Sequence, residues 1–237
     1  MKPCIVLEYA TRAEDVRPLL PAGVEPVCIE GFALWNIIAA RIEKLRPVGV
    51  PRPLGVRYHH VAYRLRVQVP RADGEPEKGL LYIRNDGDRR RVHVAGSRFL
   101  HLRSNPAQIR LGVHEESCHL QVLRTPNHHG NCTVLAEFGQ DASKVPDLLK
   151  AVEANPGLAM HEPVRFVTDD AGRILRRTVV DRDAENAVRQ PLTVQTSRWA
   201  FFEHLSVKPP TFLRGKLVSN ADYTWRIGQK VGNAVAR

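Results

Sequence analysis

Residues 58–69 constrain the fold more than any other segment, because two rows of side chains alternate along them. Successive side chains of a β-strand point to opposite faces. One row is mainly Val, Leu and Tyr, whereas the other contains Tyr58, His60, Arg64 and Arg66. This alternation predicts one long strand that buries at least one of its faces.

Further short segments rich in β-branched and aromatic residues follow at the spacing of hairpins. Asn85-Asp86-Gly87-Asp88 predicts a hairpin turn between two of them, because Asp and Gly tolerate positive φ. Large apolar residues after Thr211, among them Tyr223 and Trp225, are expected to pack in the tail of the chain. The predicted strands cover residues 24–30, 32–43, 58–69, 79–84, 90–95, 109–114, 118–124, 131–138, 164–168, 173–180 and 192–205.

Only two short helices are predicted. Thr11 and Glu14 have the spacing of a capping box, which would start a helix ending near Leu20. Ser143 would cap a second helix over residues 145–154. Since strands do not alternate with long helices, we expect a mainly β (α+β) protein: one domain over residues 1–237, built as a mostly antiparallel barrel with a few peripheral helices.

Composition excludes some classes of protein. The longest apolar stretch, residues 32–40, is too short to span a membrane, and no signal peptide is visible. Four scattered cysteines favour a reducing cytoplasm over a disulfide scaffold. The net charge of +10 raises the question of nucleic acid, but the basic residues are spread along the chain, so we disfavour that partner. The sequence leaves open whether the protein is a homo-oligomer.

The motifs of several common enzyme classes are missing. The sequence has no Gly-x-Gly-x-x-Gly, no phosphate-binding loop, no Gly-x-Ser-x-Gly and no His-Glu-x-x-His. Their absence argues against nucleotide-dependent enzymes, serine hydrolases and zinc proteases.

A cluster of histidines and cysteines is the most obvious candidate for a metal site. Adjacent residues on a strand point to opposite faces, so Cys118 and His119 would not bind one ion together without a bulge. We therefore expect no metal and no cofactor. The cluster comprises His114, Cys118, His119, His128, His129 and Cys132.

The polar row of residues 58–69 allows two interpretations. If His60, Arg64 and Arg66 face outward, they form an ordinary solvated surface. If they face the interior of a barrel, a histidine and arginines meet where an anionic ligand could bind.

Four motifs in order resemble the acetoacetate decarboxylase-like superfamily, and within it the YqjF-like branch of unknown function. The resemblance implies a conical, mostly antiparallel barrel with a closed internal cavity, and it favours the inward orientation of His60 and Arg64. The motifs are residues 16–24 (VRPLLPAGV), 58–64 (YHHVAYR), 79–83 (GLLYI) and 94–100 (VAGSRFL).

The resemblance also bears on mechanism. The decarboxylases form a Schiff base on a lysine that would fall near Ser104 and Asn105, but this sequence has no lysine between Lys78 and Lys144. His60 replaces the glutamate that the family has in its strand. Both departures argue against decarboxylation by the family mechanism, and we expect the remaining lysines to lie in loops, on helix surfaces and in the tail.

The sequence therefore predicts a small-molecule ligand, organic and anionic, bound inside the barrel. Arg64 and Arg98 would hold the anionic group, because a guanidinium pairs with a carboxylate through two hydrogen bonds. His60 would transfer or orient a proton. His101 and Tyr58 would complete the ligand site. The alternatives are a lyase or hydrolase that acts on a keto acid-like substrate through His60, and a basic domain that docks nucleic acid or a protein.

Overall fold

The computed structural model describes residues 3–46, 50–71, 74–89, 92–93, 104–139, 146–155, 163–168, 174–183, 187–206 and 208–230. All of its strands belong to one large sheet. The strands are β1 (Cys4–Arg12), β2 (Glu25–Pro26), β3 (Cys28–Ile29), β4 (Phe32–Leu45), β5 (Val56–Val69), β6 (Glu77–Gly87), β7 (Asn105–Pro106), β8 (Gln108–Val113), β9 (Ser117–Leu123), β10 (Cys132–Phe138), β11 (Val164–Thr168), β12 (Ile174–Asp183), β13 (Val188–Trp199), β14 (Thr211–Ser219) and β15 (Asp222–Lys230).

The helices are short. The α-helices are α1 (Ala13–Val16), α2 (Asp147–Glu153) and α3 (Ala200–His204), and single 3-10 turns cover Arg17–Leu19, Arg52–Leu54 and Pro126–His128. No helix in the described part of the chain is long and apolar enough to cross a membrane.

The sheet has the order β15-β12-β11-β6-β5-β4-β1-β14-β13-β10-β9-β8, with β2, β3 and β7 attached at its side. The pairs β6–β7 and β6–β11 are parallel, and the other described pairs are antiparallel. No pairing between described strands closes the sheet. The predicted fold class, mainly β and mostly antiparallel with few helices, is confirmed.

The four central strands β1, β4, β5 and β6 separate an apolar face from a polar one. The apolar face takes every second residue, such as Leu7, Trp35, Tyr63 and Leu81. Helix α3 packs there, with the ring of Phe202 edge-on to Trp35 at a centroid distance of 5.2 Å. Strand β8 also reaches back to contact β4 and β5 on this side. The main hydrophobic core therefore lies on the apolar face.

The opposite face is also covered. Ala62 on β5 and Val218 on β14 belong to a smaller apolar cluster, against which Tyr223 of β15 packs. Since β15 begins directly after β14, the turn between them brings the end of the chain back over this face. The expectation that Tyr223 packs is confirmed, while the side chain of Trp225 lies outside the described residues.

Three local predictions are wrong. The predicted strand over residues 192–205 ends at Trp199, and residues 200–204 form helix α3 instead. Thr11 belongs to β1 and does not cap α1; its hydroxyl accepts a hydrogen bond from the Trp35 indole at 2.9 Å. The predicted turn over residues 85–88 belongs largely to β6, which continues to Gly87 because it stays paired with β5 as far as His60. Tertiary contacts override local turn and capping preferences at the last two places.

Candidate functional site

The polar face carries a row of residues in register across five neighbouring strands. Arg214 on β14 pairs with Glu8 on β1, Glu8 with Asn36 on β4, Asn36 with Arg64 on β5, and Arg64 with Tyr82 on β6. Antiparallel register places side chains opposite each other on the same face within about 5.5 Å. Residues that are distant in the sequence therefore form one continuous polar surface.

Arg64 lies in this row between Asn36 and Tyr82 and is 7% exposed. Its guanidinium donates hydrogen bonds to the side-chain and main-chain oxygens of Asn36. Its Cζ lies 5.9 Å from the centroid of the Tyr82 ring. Within the described part of the chain, no carboxylate lies within ion-pair distance of Arg64. The partners that hold Arg64 are therefore neutral.

Glu8 is already shared by two other arginines of this face. Its Oε1 lies 3.3 Å from Arg66 and its Oε2 lies 2.8 Å from Arg214. Arg214 also approaches Glu153 of α2, at 3.4 Å. Because the single Glu8 charge is divided between two guanidinium groups, it does not neutralise Arg64.

Arg165 is a fourth arginine of the polar face, and it was not selected from the sequence. It lies on β11, next to β6, and is 5% exposed. Burial lowers the pKa of Arg165 to about 10, and the neighbouring Arg64 charge acts in the same direction, while a hydrogen bond to Tyr82 opposes both. Two guanidinium groups thus lie near one phenol ring.

His60 is 4% exposed and lies on the same strand face as Arg64. Its Nε2 is 3.1 Å from the side-chain oxygen of Asn85, so that nitrogen carries the proton and donates. Burial lowers the pKa of His60 to about 4; the hydrogen bond to Asn85 opposes the shift and Arg64 adds to it. His60 is therefore a neutral imidazole at pH 7.

Tyr58 shares this face near the start of β5, with its ring centroid 6.1 Å from that of His60. Burial raises the pKa of the Tyr58 hydroxyl, and the neighbouring Tyr82 and Asp88 add to the shift. The phenol remains protonated and can donate a hydrogen bond.

A second histidine, His93, lies near His60 and was not selected from the sequence. Its Nε2 donates to the carbonyl oxygen of Gly87 at 3.2 Å, and its buried Nδ1 has no hydrogen-bond partner among the described residues. Asn105, at the position where the resemblance places the family lysine, donates to the main-chain oxygen of Asn85 at 3.0 Å. The segment around Ser104 and Asn105 therefore lies beside His60, with neutral side chains.

The structure brings three of the five predicted site residues, Tyr58, His60 and Arg64, to one buried face. Arg98 and His101 lie outside the described residues. Lys216 lies in the tail, as expected, but it belongs to β14 and is half-buried on the polar face, in register with Val6.

The residues of the histidine–cysteine cluster do not share one site, because the cysteines lie in the apolar core and His119 points to the opposite face. Cys118 and Cys132 are buried in the apolar core, and burial raises the pKa of the Cys118 thiol to about 11. His119, next to Cys118, points to the opposite face and its ring stacks on His114 at a centroid distance of 5.4 Å. The described residues contain no group of three or more His, Cys, Asp or Glu side chains placed to hold a metal ion.

Solved structures with the same fold are acetoacetate decarboxylase-like. The acetoacetate decarboxylase of Legionella pneumophila has 17% identity and a TM-score of 0.59, with 99% of this chain and 86% of that chain covered. An acetoacetate decarboxylase-like enzyme from Sphingomonas wittichii RW1 has 13% identity and a TM-score of 0.56, with 97% and 90% covered. The superfamily resemblance is confirmed at the level of the fold.

The enduracididine biosynthesis enzyme MppR, complexed with the condensation product of pyruvate and imidazole 4-carboxaldehyde, has 10% identity and a TM-score of 0.63. That likeness covers 98% of this chain and 88% of that chain. No curated protein matches the sequence. The model of the DUF2071 family, described as "Uncharacterized conserved protein", matches residues 2–153. Since the match covers more than half of the chain, the protein belongs to the DUF2071 family.

Proposed function

We propose that the protein binds a small organic anion, such as a keto acid, on its polar face, and that Arg64 is the main anchor. The observation that carries the proposal is the burial of Arg64 among neutral partners. Removing a charge from water costs several kcal/mol. A contact with an aromatic ring returns about 0.5–2 kcal/mol, less than this cost. A bound carboxylate would supply the missing charge and two charge-assisted hydrogen bonds.

His60 would accept a hydrogen bond at Nδ1 as a neutral imidazole, and Tyr58 would donate one through its phenol. Arg98 and His101 remain proposed ligand contacts. The family's Schiff-base lysine has no counterpart at Ser104 or Asn105, so the proposed ligand is held by hydrogen bonds and charge alone. One solved structure of the same fold is MppR complexed with pyruvate, which makes pyruvate a reasonable first probe.

Isothermal titration calorimetry with pyruvate tests this proposal. Arg64→Gln should weaken binding at least tenfold, because a charge-assisted hydrogen bond contributes about 1.5–3 kcal/mol. Arg189→Gln is the matched control, since it removes the same charge from an exposed position on β13. Equal affinity of Arg64→Gln and the unaltered protein would show that the anion binds elsewhere.

We also propose a second function, proton transfer to or from the bound acid. The observation that favours it is the buried Nδ1 of His93 near His60, which has no partner in the part of the chain that the structure describes. In deuterated water, a base would remove a methyl proton of pyruvate and the enolate would regain a deuteron. Proton NMR should show loss of the methyl signal with the unaltered protein and none above background with His93→Gln. Exchange at the same rate in both would exclude His93 as the base.

A further inference from the structure

We propose that Arg64 and Arg165 act together and that the ligand carries two carboxylates. This inference rests on the proposed function and refines it by naming the ligand class. The side chain of Tyr82 contacts both arginines. The Arg64 guanidinium lies against the Tyr82 ring, while the Arg165 side chain donates a hydrogen bond to the Tyr82 hydroxyl.

The strand order fixes the separation of the two arginines. Arg64 lies on β5 and Arg165 on β11, and β6 with Tyr82 runs between them. Neighbouring strands are about 4.8 Å apart, so the two backbones are roughly 10 Å apart. Both long side chains extend from opposite sides towards the same phenol. Two guanidinium groups in this arrangement can each hold one end of a short ligand.

The main-chain carbonyl of Val164 helps to orient Arg165, since it accepts a hydrogen bond from Arg165 Nη1 at 3.0 Å. Arg165 is as deeply buried as Arg64. Like charges brought together away from water repel each other strongly. An anion with one carboxylate for each guanidinium offsets this repulsion more completely than an anion with a single carboxylate.

Charge on the remainder of the polar face supports the same conclusion. Glu8 is shared between Arg66 and Arg214, and half-buried Lys216 lies on the same face of β14. Among described residues of this face, positive side chains therefore outnumber carboxylates. Such a surface favours a ligand of charge −2 over one of charge −1.

Matched pairs of keto acids test the inference. 2-Oxoglutarate and 2-oxopentanoate differ in one terminal carboxylate, as do oxaloacetate and 2-oxobutanoate. The unaltered protein should bind at least one dicarboxylate ten times more tightly than its monocarboxylate partner. Arg165→Gln should abolish this preference and change monocarboxylate affinity less than twofold, whereas Arg64→Gln should weaken both, and Arg189→Gln neither.

Tyr82→Phe provides a second test if Arg165→Gln does not fold. It keeps the ring beside Arg64 and removes the hydroxyl that accepts from Arg165. It should reduce the preference for the dicarboxylate by threefold or more and leave the monocarboxylate unaffected. Equal affinities for both members of each pair in the unaltered protein would overturn this inference and leave the proposed function standing. Absence of binding by every keto acid would overturn both.

Discussion

Asn36 receives hydrogen bonds from Arg64 at two atoms, its side-chain amide oxygen and its own main-chain carbonyl, the latter at 3.4 Å. The two residues face each other in register on β4 and β5. A residue that accepts twice from one guanidinium fixes its direction before a ligand arrives. The orientation of the proposed anchor is therefore part of the fold.

Replacing Asn36 by Leu keeps most of the side-chain volume and removes the amide oxygen. We expect the free energy of unfolding to fall by about 1–3 kcal/mol, because a buried charged group loses an acceptor. Pyruvate affinity should fall as well, since Arg64 loses its orientation. Urea denaturation and calorimetry measure the two effects. Gln195→Ala, at an exposed amide on β13, is the control, and a variant with unchanged stability and affinity would contradict the assignment.

The buried imidazole of His60 predicts a dependence of stability on pH. Its pKa of about 4 in the folded protein lies below the usual value of 6.5. Between these two values the unfolded chain binds a proton that the folded protein does not, so stability falls as pH decreases from about 6.5 to 4. The contribution is about 3 kcal/mol, from 1.36 kcal/mol per pKa unit.

Urea denaturation at pH 7.5 and pH 4.5 measures this contribution. In His60→Gln the loss of stability between the two pH values should be smaller by most of that amount. His119→Gln, at an exposed histidine, should behave like the unaltered protein. If His60→Gln shows the full pH dependence, His60 does not account for the loss of stability.

The hydrogen bond between Thr11 and Trp35 predicts a coupled effect of two substitutions. Thr11→Val keeps the shape of the side chain but leaves the buried indole N–H without its acceptor, so we expect a loss of about 1–3 kcal/mol in the free energy of unfolding. In a Trp35→Phe background the same substitution should cost less than half as much. Thr133→Val, at an exposed position on β10, is the control. Equal costs in both backgrounds would mean that the bond contributes nothing measurable.

Borohydride reduction in the presence of acetoacetate should add no mass to the protein. At the position where the resemblance places the family's Schiff-base lysine, this chain has Ser104 and Asn105, and neither side chain carries an amine. Among the described lysines, Lys216 is the one to test for an adduct, because it lies on the polar face. Its strand β14 is nevertheless four strands from β6 in the sheet, roughly 19 Å along it. An adduct that disappears in Lys216→Arg but persists in the exposed control Lys150→Arg would show that Lys216 takes the role of the family's Schiff-base lysine.

The sequence predicted the central strand correctly because its alternation is a local signal with a direct physical cause. Residues 58–69 lie within β5, and their two rows point to the two faces of the sheet. The alternation could not show that both faces are buried, because the cover of the polar face comes from distant strands. His60 and Arg64 could for that reason be placed on one face of a strand but not in the interior.

The rest of the candidate site depends on contacts that no local pattern contains. Arg165 reaches Tyr82 across a parallel pairing between β6 and β11, more than 80 residues apart in the sequence. The tail from Thr211 forms two strands, and the first of them, β14, brings Arg214 and Lys216 to the polar face. From the sequence alone, Arg165, Arg214 and Lys216 cannot be distinguished from arginines and lysines on a solvated surface.

A crystal structure of the protein grown with pyruvate tests the central claim most directly. The account predicts a carboxylate on the polar face, with its oxygens about 2.7–2.9 Å from the guanidinium nitrogens of Arg64, and with Asn36 still accepting from the same group. His60 should lie beside the ligand, with Nε2 still donating to Asn85. Pyruvate bound only away from Arg64, with the guanidinium still held by Asn36 and the Tyr82 ring, would contradict the account.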